Sequence, residues 1–262
     1  MPMQTLIVIP TYNERENLRP LVCQVLALDP TYDVLVIDDN SPDGTGQLAD
    51  DLALETRRVH VLHRGGKQGL GTAYATGFSY ALEHRYARVV EMDADFSHRP
   101  QDLPALLAAT GSADLVIGSR NTPGGRVLNW SPLRHVVSKG GSLFARTVLG
   151  LPIQDCTSGF KAFRREALER LDLAAIASNG YAFQVEINYA CAQAGLRIAE
   201  VPIVFPDRVQ GTSKMSPRIV FEALWLVVRL RLGVARPPVR RHAALESIES
   251  VGIVREREQT AA

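Results

Sequence analysis

Short apolar runs rich in Val and Ile recur along the first half of the chain: TLIVI from Thr5, DVLVID from Asp33, VHVLH from Val59, RVVEMD from Arg88 and DLVIGS from Asp114. Each is five or six residues long, most are bounded by Pro, Gly or Asp, and each is followed by a longer stretch of mixed polarity. Runs of that length predict strands buried on both faces, while the intervening stretches, 14–28 and 70–83 most clearly, read as amphipathic helices. Strands and helices in alternation predict an α/β architecture, a mostly parallel sheet covered by helices on both faces. Ligands of such sheets bind beyond the carboxyl ends of the strands. The distinctive polar residues fall at those ends: 11–14 after the first run, 38–43 after the second, 93–95 after the fourth and Arg120 after the fifth.

The pattern changes at NTPGGRVLNWS, residues 121–131, a Gly-, Pro- and Asn-rich loop. A helix is predicted over 132–150, another within NGYAFQVEINYACAQAG and a strand within RIAEVPIVF. A last helix over 217–233 places Phe221, Leu224, Trp225, Val228 and Leu232 on one face by i, i+3, i+4 spacing. That stripe has two readings. It covers the domain, or it lies in a membrane interface with Arg218, Arg229 and Arg231 at anionic headgroups. The expected organisation is one domain over 1–216, in halves 1–120 and 121–216, then an amphipathic helix 217–234 and a mobile tail 235–262, whose mixed charge has little periodicity.

Composition narrows the function classes. At 262 residues and 46% hydrophobic, the chain can bury one substantial core. Lys and Arg total 29 against 28 Asp and Glu, so no global positive bias marks a nucleic-acid binder, and none is expected as partner. Cys23, Cys156 and Cys191 lack C-x-x-C spacing, which argues against a disulfide framework or structural zinc and fits a reducing cytosol. MPMQTLIVIPTYNE does not resemble a secretory signal, and no run reaches the ~18 apolar residues that cross a bilayer. A cytoplasmic protein is expected, and the second reading of the last helix would make it peripheral on the cytosolic face of a membrane.

The turn after the first run is PTYNERENL, not G-x-G-x-x-G, and GGKQGLGTAYATG lacks P-loop spacing. The carboxylates carry more information. Asp43 or Thr45 in VIDDNSPDGT serves as a helix cap, but two adjacent acids, Asp38 and Asp39, at a strand end exceed what a cap needs, and one is placed to accept from a ribose or base edge. In EMDADFSHRP, Asp93 and Asp95 leave a strand one residue apart, where both can converge on a hard divalent ion and the diphosphate it bridges.

Taken together, IPTYNERENL, VIDDNSPDGT, GLGTAYATGF, EMDADFSHRP and GSR resemble the nucleotide-sugar domain of inverting glycosyltransferases of family 2, the Rossmann-like GT-A fold. SKGGS, DCTSGFKAFRREAL, NGYAFQVEI and EVPIVFPDRVQGTSKMS are similar to polyprenol-phosphate mannosyltransferases, the dolichol-phosphate mannose synthase group. The resemblance spans residues 5–216. It stops beyond Pro217, where many relatives carry transmembrane helices.

That resemblance implies roles. Pro10, Tyr12, Glu14 and Asp39 match nucleotide-binding positions, joined by Asp93 and Ala94; Asp93 and Asp95 match the holders of Mg²⁺ or Mn²⁺; and Ser97 stands where some relatives have a third ligand, Gln. His98 follows, but hard cations prefer oxygen. Arg120, Arg134, Ser138, Arg208 and Lys214 match positions on the acceptor phosphate or donor diphosphate, with Lys139 a further cation of the same cluster. Asp95, Arg120, Arg208 and Lys214 are the expected catalytic set. The reaction implied is inverting transfer of mannose from GDP-mannose to a polyprenyl phosphate at a membrane surface or beside a membrane partner protein. A lipid monophosphate, with a second pKa near ~6, is already largely dianionic at neutral pH and needs no dedicated base. The rivals are a UDP-glucose:polyprenyl-phosphate glucosyltransferase and a catalytically silent sugar-nucleotide-binding module.

Overall fold

Alternation along each strand decides which layer a residue joins, because successive side chains of a strand point to opposite faces. In the first strand Leu6 and Val8 enter one core cluster and Ile7 and Ile9 the other; in the second, Leu35 and Ile37 oppose Val34 and Val36. All eight are fully buried. Two cores on one sheet follow from runs that are apolar at every position. The computed structural model describes residues 4–176, 178, 180–207 and 217–240, leaving aside the side chains of 133 and 217–220.

The sheet has seven strands: β1 (Thr5–Thr11), β2 (Tyr32–Asp38), β3 (Val59–His63), β4 (Arg88–Glu91), β5 (Leu115–Ser119), β7 (Lys161–Arg164) and β8 (Ile198–Pro202), in the order β3-β2-β1-β4-β7-β5-β8. A separate two-stranded ribbon pairs β6 (Arg126–Val127) with β9 (Val204–Phe205). Helices α1 (Arg15–Leu28), α2 (Thr45–Glu55) and α4 (Leu103–Ala109) cover one face, and α3 (Leu70–Glu83), α5 (Pro132–Leu149) and α7 (Gly180–Gln193) the other; α6 (Arg165–Glu169) follows β7. This is the GT-A-like α/β fold, mostly parallel. All five strands expected from the first half form. The exception to parallel order is β7, a four-residue strand of the second half that runs antiparallel between β4 and β5, so the two halves share one sheet.

The last helix, α8 (Pro217–Arg231), packs on α5 and α7. Val227 and Leu230 are its core residues, whereas Phe221, Trp225 and Leu232 on the opposite side are 68%, 56% and 70% exposed. Phe221, Trp225 and Leu232 of the expected stripe therefore face outward, whereas Val228 is half-buried and Leu224 turns toward α5 and α7. The chain then stays docked through 240: Val239 bridges Leu171, the Asp172 amide donates to the Pro238 carbonyl at 2.9 Å, and the Arg240 amide to that of Arg170 at 2.9 Å. The mobile tail expected from 235 thus does not begin there, and its remainder, 241–262, lies outside the described residues. Among the described residues no helix is long and apolar enough to cross a membrane.

Candidate active site

The carboxyl ends of β1, β2 and β4 open onto a cleft of about 310 Å³. Pro10, Tyr12, Glu14 and Asp39 form one side of it, and Asp93, Ala94 and Asp95 its floor. Lys67 and Gly69 enter from the loop before α3 and Leu70 from its first turn, and Lys67 Nζ sits 4.4 Å above the Tyr12 ring. The second half closes the cleft with Thr157, Gly159, Tyr181 and Gln184. The structure thus brings together every residue expected on the nucleotide, across 85 positions of sequence.

The adjacent acids Asp38 and Asp39 divide their work. Asp38 is consumed locally: its carboxylate accepts from Thr11 Oγ1 (3.0 Å), Ser41 Oγ (2.6 Å) and the Ser41 amide (3.0 Å), which ties the β1 and β2 ends together. Asp39 turns into the cleft, held through one oxygen by Arg64 Nε at 2.5 Å. The same guanidinium reaches Thr72 Oγ1 and the Gly69 carbonyl. Arg64 thereby joins the β2 end to the start of α3. The sequence reading missed it, although an arginine directly after the third apolar run was a signal.

Asp93 and Asp95 lie two and four residues beyond the end of β4 at Glu91. Tyr74 Oη donates to Asp93 Oδ1 at 3.1 Å; burial, with Asp93 alongside, pushes that phenol well above its ordinary range and keeps it a donor. Asp95 Oδ1 accepts from the Ser97 amide at 3.1 Å. Ser97 itself is 1% exposed and absent from the cleft wall, so its expected contact with an ion is not what the geometry offers; the backbone amide supports Asp95 instead. Two carboxylates on the cleft floor are the hard oxygen donors that Mg²⁺ or Mn²⁺ selects. Among the described residues no group of three or more His, Cys, Asp and Glu gathers, so further ligands would come from the diphosphate and water. Beneath the floor, Lys161 Nζ donates to Gln184 Oε1 and lies 3.8 Å from Glu91 Oε2. Both charged groups are wholly buried; burial raises the Glu91 carboxyl to about 7 and lowers the Lys161 ammonium.

Of the expected phosphate cluster, Arg120, Arg134, Ser138 and Lys139 are among the described residues. Arg120 does not face the cleft as a free cation: Nε and Nη2 donate to the two Asp155 oxygens at 2.7 and 2.6 Å, and Nη2 also reaches Thr157 Oγ1 at 2.8 Å. Its side chain is 4% exposed and lies against Trp130 and Phe205. Nε and Nη2 of Arg120 are thus engaged by the protein itself. Arg120 is one half of a buried ion pair that anchors the Thr157 wall. Arg134 stacks on Trp130 and donates to Asp207 Oδ1 at 2.6 Å, and Lys139 is exposed on α5. Arg208 and Lys214 lie outside the described residues.

Ser138 lines a second, smaller cavity of about 50 Å³. Its walls are apolar: Val137, Gly141 and Ala145 of α5, Val185 of α7, and Ala223, Leu224 and Val227 of α8. Thr157 and Tyr181 belong to the walls of both this groove and the cleft. A polar cleft with a carboxylate floor therefore adjoins an apolar groove. The buried thiols of Cys156 and Cys191 are pushed up to about 12 by desolvation, which leaves neither a nucleophile at neutral pH.

Comparison with known proteins gives a consistent picture. Residues 6–172 match the model of glycosyl transferase family 2. The undecaprenyl-phosphate mannosyltransferase of Micrococcus luteus is 49% identical over 243 residues, covering 93% of this chain and 100% of that protein. The polyprenol monophosphomannose synthase of Mycolicibacterium smegmatis is also 49% identical over 243 residues, covering 90% of this chain and 92% of its own. Among solved structures, glucosyl-3-phosphoglycerate synthase from Mycobacterium tuberculosis, in complex with Mn²⁺, uridine diphosphate and glucosyl-3-phosphoglycerate, superimposes with a TM-score of 0.65 at 19% identity, covering 88% of this chain and 81% of that one.

Proposed function

The chain belongs to glycosyltransferase family 2, and from that premise we propose that it transfers mannose from GDP-mannose to a polyprenyl phosphate, with inversion, giving polyprenyl phosphate mannose and GDP. The observation that carries this reading is the sharing of Thr157 and Tyr181 between the two cavities. An acceptor that is a phosphate at one end and an isoprenoid chain at the other needs this junction of a polar and an apolar site. The two 49%-identical relatives, one named for undecaprenyl phosphate and one for a polyprenol, support the same acceptor class.

In this mechanism Tyr12, Glu14 and Asp39 hold the nucleoside, Asp39 oriented by Arg64. Asp93 and Asp95 would hold Mg²⁺ or Mn²⁺, which supplies positive charge to the departing diphosphate. The Thr157–Tyr181 junction aligns the acceptor phosphate with the sugar. A phosphate dianion is its own nucleophile, so alignment and charge stabilisation are the chain's main contributions. Ser138, which lines the apolar groove, and Arg134, one turn earlier on α5, are proposed to receive the acceptor headgroup, the latter on the resemblance. Arg208 and Lys214 are proposed for the same headgroup and leaving group on the resemblance alone.

The test is a panel: purified protein with radiolabelled GDP-mannose or UDP-glucose, and undecaprenyl phosphate as acceptor. Lipid-linked label from GDP-mannose is expected; label from UDP-glucose alone would move the reading to the glucosyl rival, and binding without transfer to the silent module. Gly141→Leu probes the groove. A Cβ at Gly141 meets nothing within 4 Å, and Gly141 lines the groove, so a leucine there is expected to fill part of it. The KM for lipid acceptor is expected to rise tenfold or more at unchanged GDP affinity, with a small gain in melting temperature from helix propensity. An unchanged KM would place the chain elsewhere.

We also propose that the protein binds membranes peripherally, through the exposed Phe221, Trp225 and Leu232 beside Arg229 and Arg231. Replacing Trp225 and Leu232 with Ser should release the protein from anionic vesicles in sedimentation while leaving its melting curve in place, since neither side chain is buried. Retained vesicle binding would refute the anchor.

A further inference from the structure

The turn that carries Asp93 and Asp95 has an internal support. After Glu91 the β4–β7 ladder ends: Glu91 pairs with Lys161, so the residue that continues the register opposite Asp93 is Gly159, which lies outside β7. The Asp93 amide is thus left at a sheet interior without a strand partner, a part-buried donor that still calls for an acceptor. His98 meets it. Its Nδ1 accepts from the Asp93 amide at 2.9 Å across five residues.

The imidazole is fixed on several sides. It is 1% exposed, stacks on Phe160 with centroids 4.9 Å apart and planes at 12°, and meets the edge of Phe205 at 5.6 Å. A Cβ on Gly159 would lie 3.6 Å from His98 Cε1, so the strand-end glycine borders the ring. Between the two ends of this hydrogen bond the chain folds back through Phe96 at φ +61°, and Ser97 turns its amide to Asp95. A backbone N–H can only donate, so the 2.9 Å contact itself makes Nδ1 the acceptor. An Nδ1 engaged with a backbone amide is not available to a cation, so His98 does not act as an ion ligand through that nitrogen.

We infer that His98 is a positioning residue for transfer: by taking the place of the missing ladder partner of Asp93, its imidazole Nδ1 holds the β4 exit turn in the one form that presents both Asp93 and Asp95 to the cleft. This rests on the reading of those carboxylates as the ion's holders. A purely packing role would require only a ring of this size; the positioning role requires an acceptor at the Nδ1 place.

Amide side chains separate the two. His98→Asn keeps an acceptor oxygen near the Nδ1 place, His98→Gln moves it toward the Nε2 place, and His98→Phe keeps the ring without an acceptor. The readouts are Mn²⁺ uptake in the presence of GDP, followed by loss of the free-ion EPR signal, and hydrogen exchange of the peptide spanning 91–98 without metal. His98→Asn is expected to bind Mn²⁺ within about threefold of the parent, and His98→Gln and His98→Phe at least tenfold more weakly, with faster exchange across the turn. Equal Mn²⁺ affinity and equal exchange in the Asn and Gln variants would overturn the inference; that pair decides even if His98→Phe does not fold. If the parent takes up no Mn²⁺, the reading of the carboxylates fails, while slower exchange in His98→Asn than in His98→Gln still upholds the imidazole as the support of the turn.

Discussion

Asp95→Asn should lower mannosyl transfer at least about a hundredfold, the scale on which a single preorganised charge-stabilising group acts at a transition state, with the melting temperature within a few degrees of the parent. The asparagine still has an oxygen to accept from the Ser97 amide, so the turn keeps its local closure, while the cleft floor loses one of its two carboxylate charges. Asp93→Asn should behave alike, because Tyr74 Oη can donate to an amide oxygen as it does to the carboxylate. EDTA should reproduce both losses in the parent, and Mg²⁺ or Mn²⁺ should reverse them. Turnover in EDTA equal to that with metal would refute metal dependence, and full activity in both variants would remove the carboxylates from the mechanism.

The largest expected effect on stability lies at Asp155. Asp155→Ala should cost ~3–5 kcal/mol, since it leaves the Arg120 guanidinium buried without its counter-charge, and for a chain of this size that corresponds to a fall of roughly 6–10 °C in melting temperature. Burial opposes ionisation of Asp155, but the Arg120 charge and its hydrogen bonds outweigh it and hold the carboxyl below its ordinary value. A depressed folded pKa contributes stability above the unfolded value, about 4, that is lost as pH falls through the folded one. The gap in stability between parent and Asp155→Ala should therefore be full at pH 5 and above and shrink in more acidic solution. A gap that grows on acidification would contradict the pairing. The same geometry warns that lost activity in Arg120→Ala reports a collapsed Thr157 wall before it reports a missing catalytic cation.

How much of this was legible beforehand depended on how local each determinant is. Parallel strands buried on both faces need apolar residues at nearly every position, so TLIVI, DVLVID and DLVIGS announce themselves, and the residues just beyond them fall at strand ends whatever the strand order. Topology of this class gathers carboxyl ends, which puts 11–14, 38–43 and 93–95 in one place, while the assignment of Pro10, Tyr12, Glu14, Asp39, Asp93 and Ala94 to a nucleotide came from the resemblance to family 2 glycosyltransferases. Helical period likewise put Phe221, Trp225 and Leu232 on one face of α8, although period alone does not say which face meets the core.

The rest turned on pairings between segments that carry no local mark of each other. KAFR is four residues with a lysine inside, too short and too polar to read as a sheet interior, yet it forms β7 between β4 and β5, with Ala162 and Phe163 buried and the lysine held by Gln184 beside Glu91. Arg120 has the look of a free phosphate-binding cation until the chain returns 35 residues later with Asp155 at 2.6 Å. Whether Ser97 or His98 turns toward the Asp93–Asp95 carboxylates is decided by a left-handed residue at Phe96 and by which amides the sheet leaves unpaired. The sequence by itself determined the layers, the strand ends and the chemistry available there, because burial and periodicity act within a few residues. Only the tertiary structure decided which charges are spent on each other and which face the cleft, because ion pairing and amide satisfaction depend on distances between residues that only folding brings together.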